Sequence, residues 1–193
     1  MNLQALIDTV FEDLDARVRS VAFDENEDLR LVIEYDRVVL PEGKRQVELK
    51  CVRPQEFSVT AGYLGNIAQF EDHALLRNHR GPQAQVFFSS APASPAEVFY
   101  LAHRVLAAEL QGWRNPSDYL NGKPEEVWKH LAGGFGLLAR GPSAAMAALA
   151  SAVESLLTVK VIESHVLHST AMVVTLDNQF VVCESVEVLP RDG

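Results

Sequence analysis

The segment EDHALLRNHR, residues 71–80, holds the densest group of side chains in this sequence that could do acid–base chemistry. Asp72, His73, His79 and Arg80 offer carboxylate, imidazole and guanidinium groups where no helical or strand periodicity is visible. Irregular segments of this kind often carry function, because a rigid scaffold presents them to a ligand. One interpretation is therefore a small-molecule enzyme or ligand-binding domain with its site in this loop. The other is a loop that simply faces water.

Glu163 and His165 form a second candidate pair, two residues apart in a stretch with a strand pattern. Side chains two apart on a strand share a face, and a carboxylate beside an imidazole can orient a general base. We expect the pair to contribute to the loop site or, alternatively, to make cross-strand salt bridges. His168 stands three residues from His165, on the opposite face, so these two histidines cannot share a metal ion there.

Complete catalytic and metal-binding motifs do not occur in the sequence. The serine motifs G-x-S-x-G and S-x-x-K and the zinc motif HExxH are absent. Cys51 and Cys183, the only cysteines, belong to no CxxC motif and are predicted to be reduced, half-buried structural thiols. We therefore assign no catalytic residue, no metal and no cofactor, and we expect a cytoplasmic protein.

Residues 134–139, GFGLLA, match the spacing of the G-x-G-x-x-G/A motif that binds dinucleotide phosphates. That motif needs a strand before the glycines and a helix directly after them, so that the phosphates meet the helix N-terminus. Here the preceding residues have a helical pattern, and Gly141 and Pro142 interrupt the chain directly after the motif. The sequence therefore predicts a joint between two helices, with Phe135 packed into the core, and no dinucleotide.

Negative charge is concentrated near the start of the chain. The whole sequence has a formal net charge of −9, and residues 1–36 carry ten acidic against three basic residues, a net charge of −7. Such a field repels nucleic acid and attracts a basic protein. The leading hypothesis is a non-catalytic binding protein, for example an inhibitor or immunity-type protein, with a basic protein partner and no nucleic-acid partner. The plainer alternative is an acidic face that keeps the protein in solution.

The acidic residues proposed for binding are Asp24, Glu25, Glu27 and Asp28. Their segment has the carboxylate spacing of a calcium-binding EF-hand loop, but Leu29 stands where the sharp turn needs glycine. Tyr35 stands where the loop needs a bidentate glutamate. An acidic hairpin turn is the better interpretation.

A further candidate contact surface is the turn-rich loop QGWRNPSDYLNGKP, residues 111–124. It contains Trp113, Arg114 and Tyr119, and these residue types are common interface anchors. We expect either an exposed contact surface or a tryptophan that covers the end of the preceding helix.

Periodicity predicts the elements that would position these residues. The predicted helices cover residues 3–17, 95–111, 124–132 and 142–158. The predicted strands cover residues 18–23, 29–35, 47–51, 57–61 and 85–90, followed by three strand-like stretches from residue 160 onward. Ser94, Pro95 and Glu97 form a capping box at one helix start. Strands before and after a central helical block predict an α+β fold, a mostly antiparallel sheet with helices packed on one face.

The length of 193 residues is normal for one domain, so residues 1–193 are predicted to form a single α+β domain. The first residues lack the pattern of a signal peptide, and the most apolar window, residues 144–153, is too short to span a bilayer. We expect no membrane association. A homodimer through the edge strands of the C-terminal hairpin is left open.

Overall fold

The structure, a computed structural model, describes residues 3, 4, 7, 16–35 and 46–190. These residues fall into two compact units. Unit 1 consists of the described residues up to Leu76 together with those from Thr170 onward, and unit 2 is Arg77–Ser169. Unit 2 is therefore an insertion within the chain of unit 1. That residues 1–193 behave as one domain stays a prediction.

Strands and helices account for most of the described residues. In chain order the strands are β1 (Ala16–Phe23), β2 (Leu29–Tyr35), β3 (Gln46–Val52), β4 (Glu56–Ser58), β5 (Gly62–Leu64), β6 (Ile67–Phe70), β7 (Gly81–Phe88), β8 (Gly136–Pro142), β9 (Val159–Leu167), β10 (Met172–Leu176), β11 (Gln179–Cys183) and β12 (Ser185–Pro190). The α-helices are α1 (Pro95–Glu109), α2 (Pro124–Gly133) and α3 (Ser143–Val153), and short 3-10 helices lie at Ala74–Asn78 and Pro116–Tyr119. The architecture is α+β with mostly antiparallel sheets, as the sequence predicts.

Unit 1 is built from two antiparallel sheets, with strand orders β12-β3-β2-β1-β5 and β4-β11-β10-β6. Only a few residues separate β3 from β4, β5 from β6 and β11 from β12, so the chain passes directly from one sheet to the other at three corners. If the two strands that meet at each corner are counted as one bent strand, the neighbours around unit 1 follow the order β1, β2, β3–β4, β11–β12, β10 and β5–β6, and β5 pairs with β1.

One face of the strands in unit 1 packs into a common apolar core. The alternation predicted for β2 and β3 is confirmed, because Leu31, Leu49 and Cys51 are fully buried while the charged residues between them are only half-buried. Val174 and Val181 of the second sheet belong to the same core. Burying each aliphatic side chain of this size contributes about 1.5–3 kcal/mol to the stability of the folded state.

Unit 2 packs three helices with an antiparallel sheet of order β8-β7-β9. Ala84, Val86 and Phe88 alternate along β7 and are buried with Val98 of α1 and Leu149 of α3. The sequence predicts one sheet, whereas three form. Two of them share the core of unit 1, and the third packs on the separate core of unit 2. No helix among the described residues is both long enough and apolar enough to cross a lipid bilayer.

The start of α1 has the predicted N-cap residue, Ser94. The side chain of Ser94 accepts a hydrogen bond from the backbone N–H of Glu97 (3.3 Å), and Pro95 is the first helical residue. The helix predicted over residues 142–158 is shorter, since it ends at Val153.

The amphipathic helix predicted over residues 3–17 lies largely outside the described residues. Leu3, Gln4 and Ile7 are helical, and Leu3 is buried in the core of unit 1. Arg17 lies in β1, so the predicted C-terminal end of this helix is wrong.

The segment GFGLLA forms the end of a helix and the start of a strand. Gly134 ends α2 with a φ of 78°, in the left-handed conformation that favours glycine. Residues 136–142 then form β8, so the predicted joint between two helices is wrong, and Phe135 is 76% exposed instead of buried. A helix followed by a strand reverses the order that a dinucleotide site needs.

Candidate functional site

The acidic residues proposed for binding form the tight turn between β1 and β2, as the sequence predicts. The backbone N–H of Asp24 donates to the carbonyl of Asp28 (3.0 Å). The Oδ1 atom of Asp24 accepts hydrogen bonds from the backbone N–H groups of Asn26 (2.8 Å) and Asp28 (3.0 Å). Glu27 adopts the left-handed φ of 62°. The side chain of Asp24 therefore shapes the turn itself.

Basic side chains compensate both aspartates of this turn. The Nζ atom of Lys50 lies 3.0 Å from Oδ2 of Asp28, and Oδ1 of Asp28 accepts a hydrogen bond from the backbone N–H of Arg53 (2.9 Å). The N–H of Arg53, followed by the ammonium of Lys50, holds the pKa of Asp28 below its ordinary value. The guanidinium of Arg30 lies 2.9 Å from Oδ2 of Asp24. These two carboxylates are thus engaged within unit 1.

The acidic surface is consequently smaller than the sequence predicts. Five of the ten acidic residues at positions 1–36 are described, and Asp24, Asp28 and Glu34 among them have basic partners. Glu25 and Glu27 are exposed at the tip of the turn. The other five acidic residues lie outside the described residues.

The loop of residues 71–80 is divided between the two units. Asp72 and His73 belong to unit 1, whereas His79 and Arg80 belong to unit 2. The Nδ1 atom of His73 accepts a hydrogen bond from the backbone N–H of Leu75 (3.2 Å), and its ring packs on Phe70 with the centroids 5.2 Å apart. His73 therefore stabilises the start of a 3-10 helix, a structural role that its place in the sequence does not reveal.

A polar cleft of about 450 Å³ lies in unit 2, between β7, β8, β9 and the loop before α2. Its polar lining side chains are Asn78, Gln83, Gln85, Arg114, Asp118, Tyr119, Arg140, Ser164 and His165. The sequence singles out Arg114 and Tyr119 for one hypothesis and His165 for another, and the fold brings all three to this cleft. Asn78 is found only in the structure, because no sequence spacing links it to the others.

Tyr119 forms a buried wall of the cleft. Only 4% of its surface is exposed, and its hydroxyl accepts a hydrogen bond from Nδ2 of Asn78 (2.6 Å). Its ring lies against Gly141 so closely that a Cβ atom there would be 2.6 Å from Cδ1 of the ring. The expectation that Tyr119 is exposed on a contact surface is therefore wrong, and the ring's position requires glycine opposite it.

The loop before α2 is held against α1. Asn115 caps the 3-10 helix by accepting a hydrogen bond from the backbone N–H of Ser117 (3.0 Å), and Oγ of Ser117 lies 3.1 Å from Nε2 of His103 in α1. Trp113 and Arg114 are both half-buried, and Arg114 lines the cleft. The loop thus contributes a wall of the cleft.

A β-bulge in β9 places His165 at the cleft. The register between β7 and β9 shifts between Pro82 and Ala84, where β9 contains one extra residue. Such a bulge sets two residues opposite one and interrupts the alternation of faces. Ser164 and His165 line the cleft, whereas Glu163 does not. The prediction that Glu163 and His165 share a face is therefore wrong.

The hydrogen bonds of Ser164 orient the imidazole ring of His165. The hydroxyl of Ser164 donates to the carbonyl of Gln83 (3.2 Å), and its oxygen lies 3.0 Å from Nδ1 of His165. Which of the two atoms donates in the second contact depends on the tautomer of the ring.

A larger cavity of about 670 Å³ lies in unit 1 along β1 and β5. Its cationic side chains, Arg17 and Arg19, lie beside Glu34, and the hydrogen bond from Arg19 lowers the pKa of that carboxyl. These positive charges are already compensated within unit 1. The cleft of unit 2 is therefore the better candidate for a ligand site.

Replacing Asp28 by asparagine should remove a pH-dependent part of the stability. Because folding lowers the pKa of Asp28 from its ordinary value of 3.8, its ionised form stabilises the protein above that pH, and this stability is lost as pH falls through the lowered pKa. The melting temperature of the wild type, measured by calorimetry, should fall more steeply than that of Asp28→Asn between about pH 5 and 2. Glu25→Gln removes an exposed charge from the same turn and should keep the wild-type slope. Equal slopes for wild type and Asp28→Asn would contradict the ion pair.

Replacing Gly141 by alanine should displace the ring of Tyr119. The added methyl group has no room, and overpacking of this kind costs about 1–3 kcal/mol. The melting temperature followed by circular dichroism should drop by about 2–12 °C. Gly133→Ala is the matched control, since an added Cβ there meets nothing within 4 Å. A Gly141→Ala protein as stable as the control would show that the contact is not tight.

Comparison of the chain with models of protein families, with curated proteins and with solved structures finds no match to any of them. Among the residues that the structure describes, no three histidine, cysteine, aspartate or glutamate side chains are grouped closely enough to hold a metal ion. A function for this protein is therefore inferred from the geometry of the cleft and of the acidic turn.

Proposed function

We propose that this is a non-catalytic binding protein whose unit 2 holds a small anionic ligand in the polar cleft. The observation that carries the proposal is that Arg114, Arg140 and His165 line one concave site, in which Asp118 is the single carboxylate among the lining residues. Guanidinium groups bind carboxylates and phosphates through paired N–H donors. The ligand therefore carries a carboxylate or a phosphate group.

The charge of the cleft is opposite in sign to that of the whole chain. The formal net charge of the sequence is −9, yet two arginines and one aspartate line the cleft. Screening limits electrostatic attraction to about 8–10 Å at physiological salt, so a small anion responds mainly to these nearby groups. A long polyanion would also be repelled by the net negative charge of the whole chain, which favours a small ligand over nucleic acid.

Packing around the cleft favours binding because it holds the lining groups in place before a ligand arrives. Gly141 and Asn78 fix the ring of Tyr119, and the hydroxyl of Ser164 orients His165. Groups that are already ordered lose less conformational entropy on binding. The volume of about 450 Å³ also falls within the roughly 300–1,000 Å³ that is typical of small-molecule sites.

The hydrogen bonds in the cleft fit binding better than nucleophilic catalysis. A serine nucleophile is activated when a histidine accepts its proton. Here the carbonyl of Gln83 accepts a hydrogen bond from the hydroxyl of Ser164, so it competes with His165 for the hydroxyl proton. This competition favours a role for His165 in contacting a ligand over a role as the base of Ser164.

Docking of a basic protein partner on the acidic surface is the second candidate function. Glu25 and Glu27 favour it, because both are exposed at the tip of the β1–β2 turn. Asp24 and Asp28 contribute less, since they are held in ion pairs. A complex of this kind would weaken as the salt concentration rises and would be lost when Glu25 and Glu27 are both replaced by glutamine.

Replacing Arg140 by glutamine should weaken the binding of small anions. Inorganic phosphate and succinate are the probes, one for each kind of anionic group, and isothermal titration calorimetry measures their affinities. A hydrogen bond to a charged group contributes about 1.5–3 kcal/mol, so the affinity for the better probe should fall by about 10- to 100-fold. Arg140 is exposed, so the variant should keep the wild-type melting temperature.

Arg104→Gln is the matched control for this experiment. Arg104 is an exposed arginine of the same unit that stacks on Tyr100 and does not line the cleft. Its replacement should leave the affinity unchanged. Equal weakening by both substitutions would mean that anions respond to net charge alone. Failure of both probes to bind the wild-type protein at millimolar concentration would overturn the proposal.

A further inference from the structure

The two cysteines of the chain meet inside unit 1. Cys51 lies in β3 and Cys183 is the last residue of β11, and both are fully buried in the same apolar core. They are more deeply buried than the sequence predicts. The two side chains belong to one core cluster, and interaction with the thiol of Cys183 raises the pKa of Cys51, although the residues lie far apart in the chain.

The backbone explains why the thiols meet. Both cysteines lie at a corner where the chain passes from one sheet of unit 1 to the other, Cys51 just before β4 and Cys183 just before β12. At this corner the backbone N–H of Glu184 donates to the carbonyl of Val52 (3.0 Å), so the residues next to the two cysteines are in direct contact. Both thiols belong to the inward-facing side of their strands. The meeting is therefore set by strand pairing and not by a flexible surface loop.

We infer that Cys51 and Cys183 form an intramolecular disulfide when the protein is exposed to a peroxide. This modification site is independent of the proposed cleft, because both cysteines belong to unit 1. The bond joins the part of unit 1 that precedes unit 2 to the part that follows it. It therefore closes unit 1 covalently around the point where unit 2 is inserted.

The reaction balances with hydrogen peroxide as the oxidant. The thiolate sulfur of one cysteine attacks a peroxide oxygen, the O–O bond breaks, and a sulfenic acid and one water form once the thiol proton is transferred. The sulfur of the other cysteine attacks the sulfenic sulfur, forms the S–S bond and expels the hydroxyl with its own proton as a second water. The two electrons that the sulfur atoms lose reduce the peroxide.

Burial makes this reaction slow in the closed protein. Interaction with the thiol of Cys183, followed by burial, raises the pKa of Cys51, so little of the attacking thiolate is present. Peroxide must also reach the core. The rate of oxidation is therefore set by how often unit 1 opens locally.

The disulfide stabilises the protein because it closes a long loop. Cross-linking two distant residues restricts the unfolded chain far more than the folded one. The melting temperature of the oxidised protein should rise by about 5–15 °C. Reduction with dithiothreitol should restore the original value.

The test uses the full chain incubated with hydrogen peroxide, with and without urea below its denaturing concentration. Free thiols are then alkylated, and the digest is mapped by mass spectrometry under non-reducing conditions. A cross-linked pair of peptides that carry Cys51 and Cys183 is expected, and it should form several-fold faster in urea. The melting temperature of the same samples is followed in parallel.

Cys51→Ala and Cys183→Ala each keep one thiol, so peroxide should produce neither the cross-link nor the rise in melting temperature in these variants. The mapping of the wild type needs no variant and decides the question even if neither alanine protein folds. Sulfinic or sulfonic acids on separate cysteines, or a disulfide only between two molecules, would each overturn the inference.

Discussion

The contact between the ring of Tyr119 and Gly141 is the constraint on which the candidate site depends. A strand position without a side chain lets the ring lie directly against β8. The ring in turn fixes the 3-10 helix to which it belongs, and its hydroxyl holds Asn78. Arg114 and Asp118 lie just before Tyr119 in the chain, so the same contact brings them to the wall that Arg140 and His165 share. The absence of a side chain at Gly141 thus allows the 3-10 helix of Tyr119 to pack against β8 at the cleft.

Charged groups have different roles in the two units. In unit 1, acidic and basic side chains pair across neighbouring strands, as Asp28 does with Lys50 and Glu34 with Arg19, so their charges are compensated within the fold. In unit 2, Arg114 and Arg140 line a concave surface together with one carboxylate, that of Asp118. Paired charges hold a structure together, whereas an excess of one sign in a concave site is typical of ligand binding. The count of acidic residues in the sequence does not distinguish these two uses.

Local features could be predicted from the sequence, and contacts between distant segments could not. The alternation of β2 and β3, the acidic turn at Asp24 and the N-cap at Ser94 depend on neighbouring residues, and all are confirmed. Whether Glu163 and His165 share a face depends on one extra residue in β9, because a shift of one residue exchanges the faces of a strand. The burial of Tyr119 depends on a glycine in another element. The prediction of a joint between two helices at GFGLLA also failed. Residues 136–142 pair with β7 and form strand β8, and this pairing depends on a segment far away in the chain.

The insertion of unit 2 has a consequence for biosynthesis. Phe70 of β6 lies opposite Val173 of β10, yet the whole of unit 2 is translated between them. At about 5–20 residues per second, the ribosome takes several seconds to supply the partner of β6. All strands and helices of unit 2 have emerged by then, and its contacts join residues within a single continuous stretch of chain. Unit 2 can therefore fold before unit 1 is complete, because strands β3, β4 and β6 each lack a partner until β12, β11 and β10 have been translated.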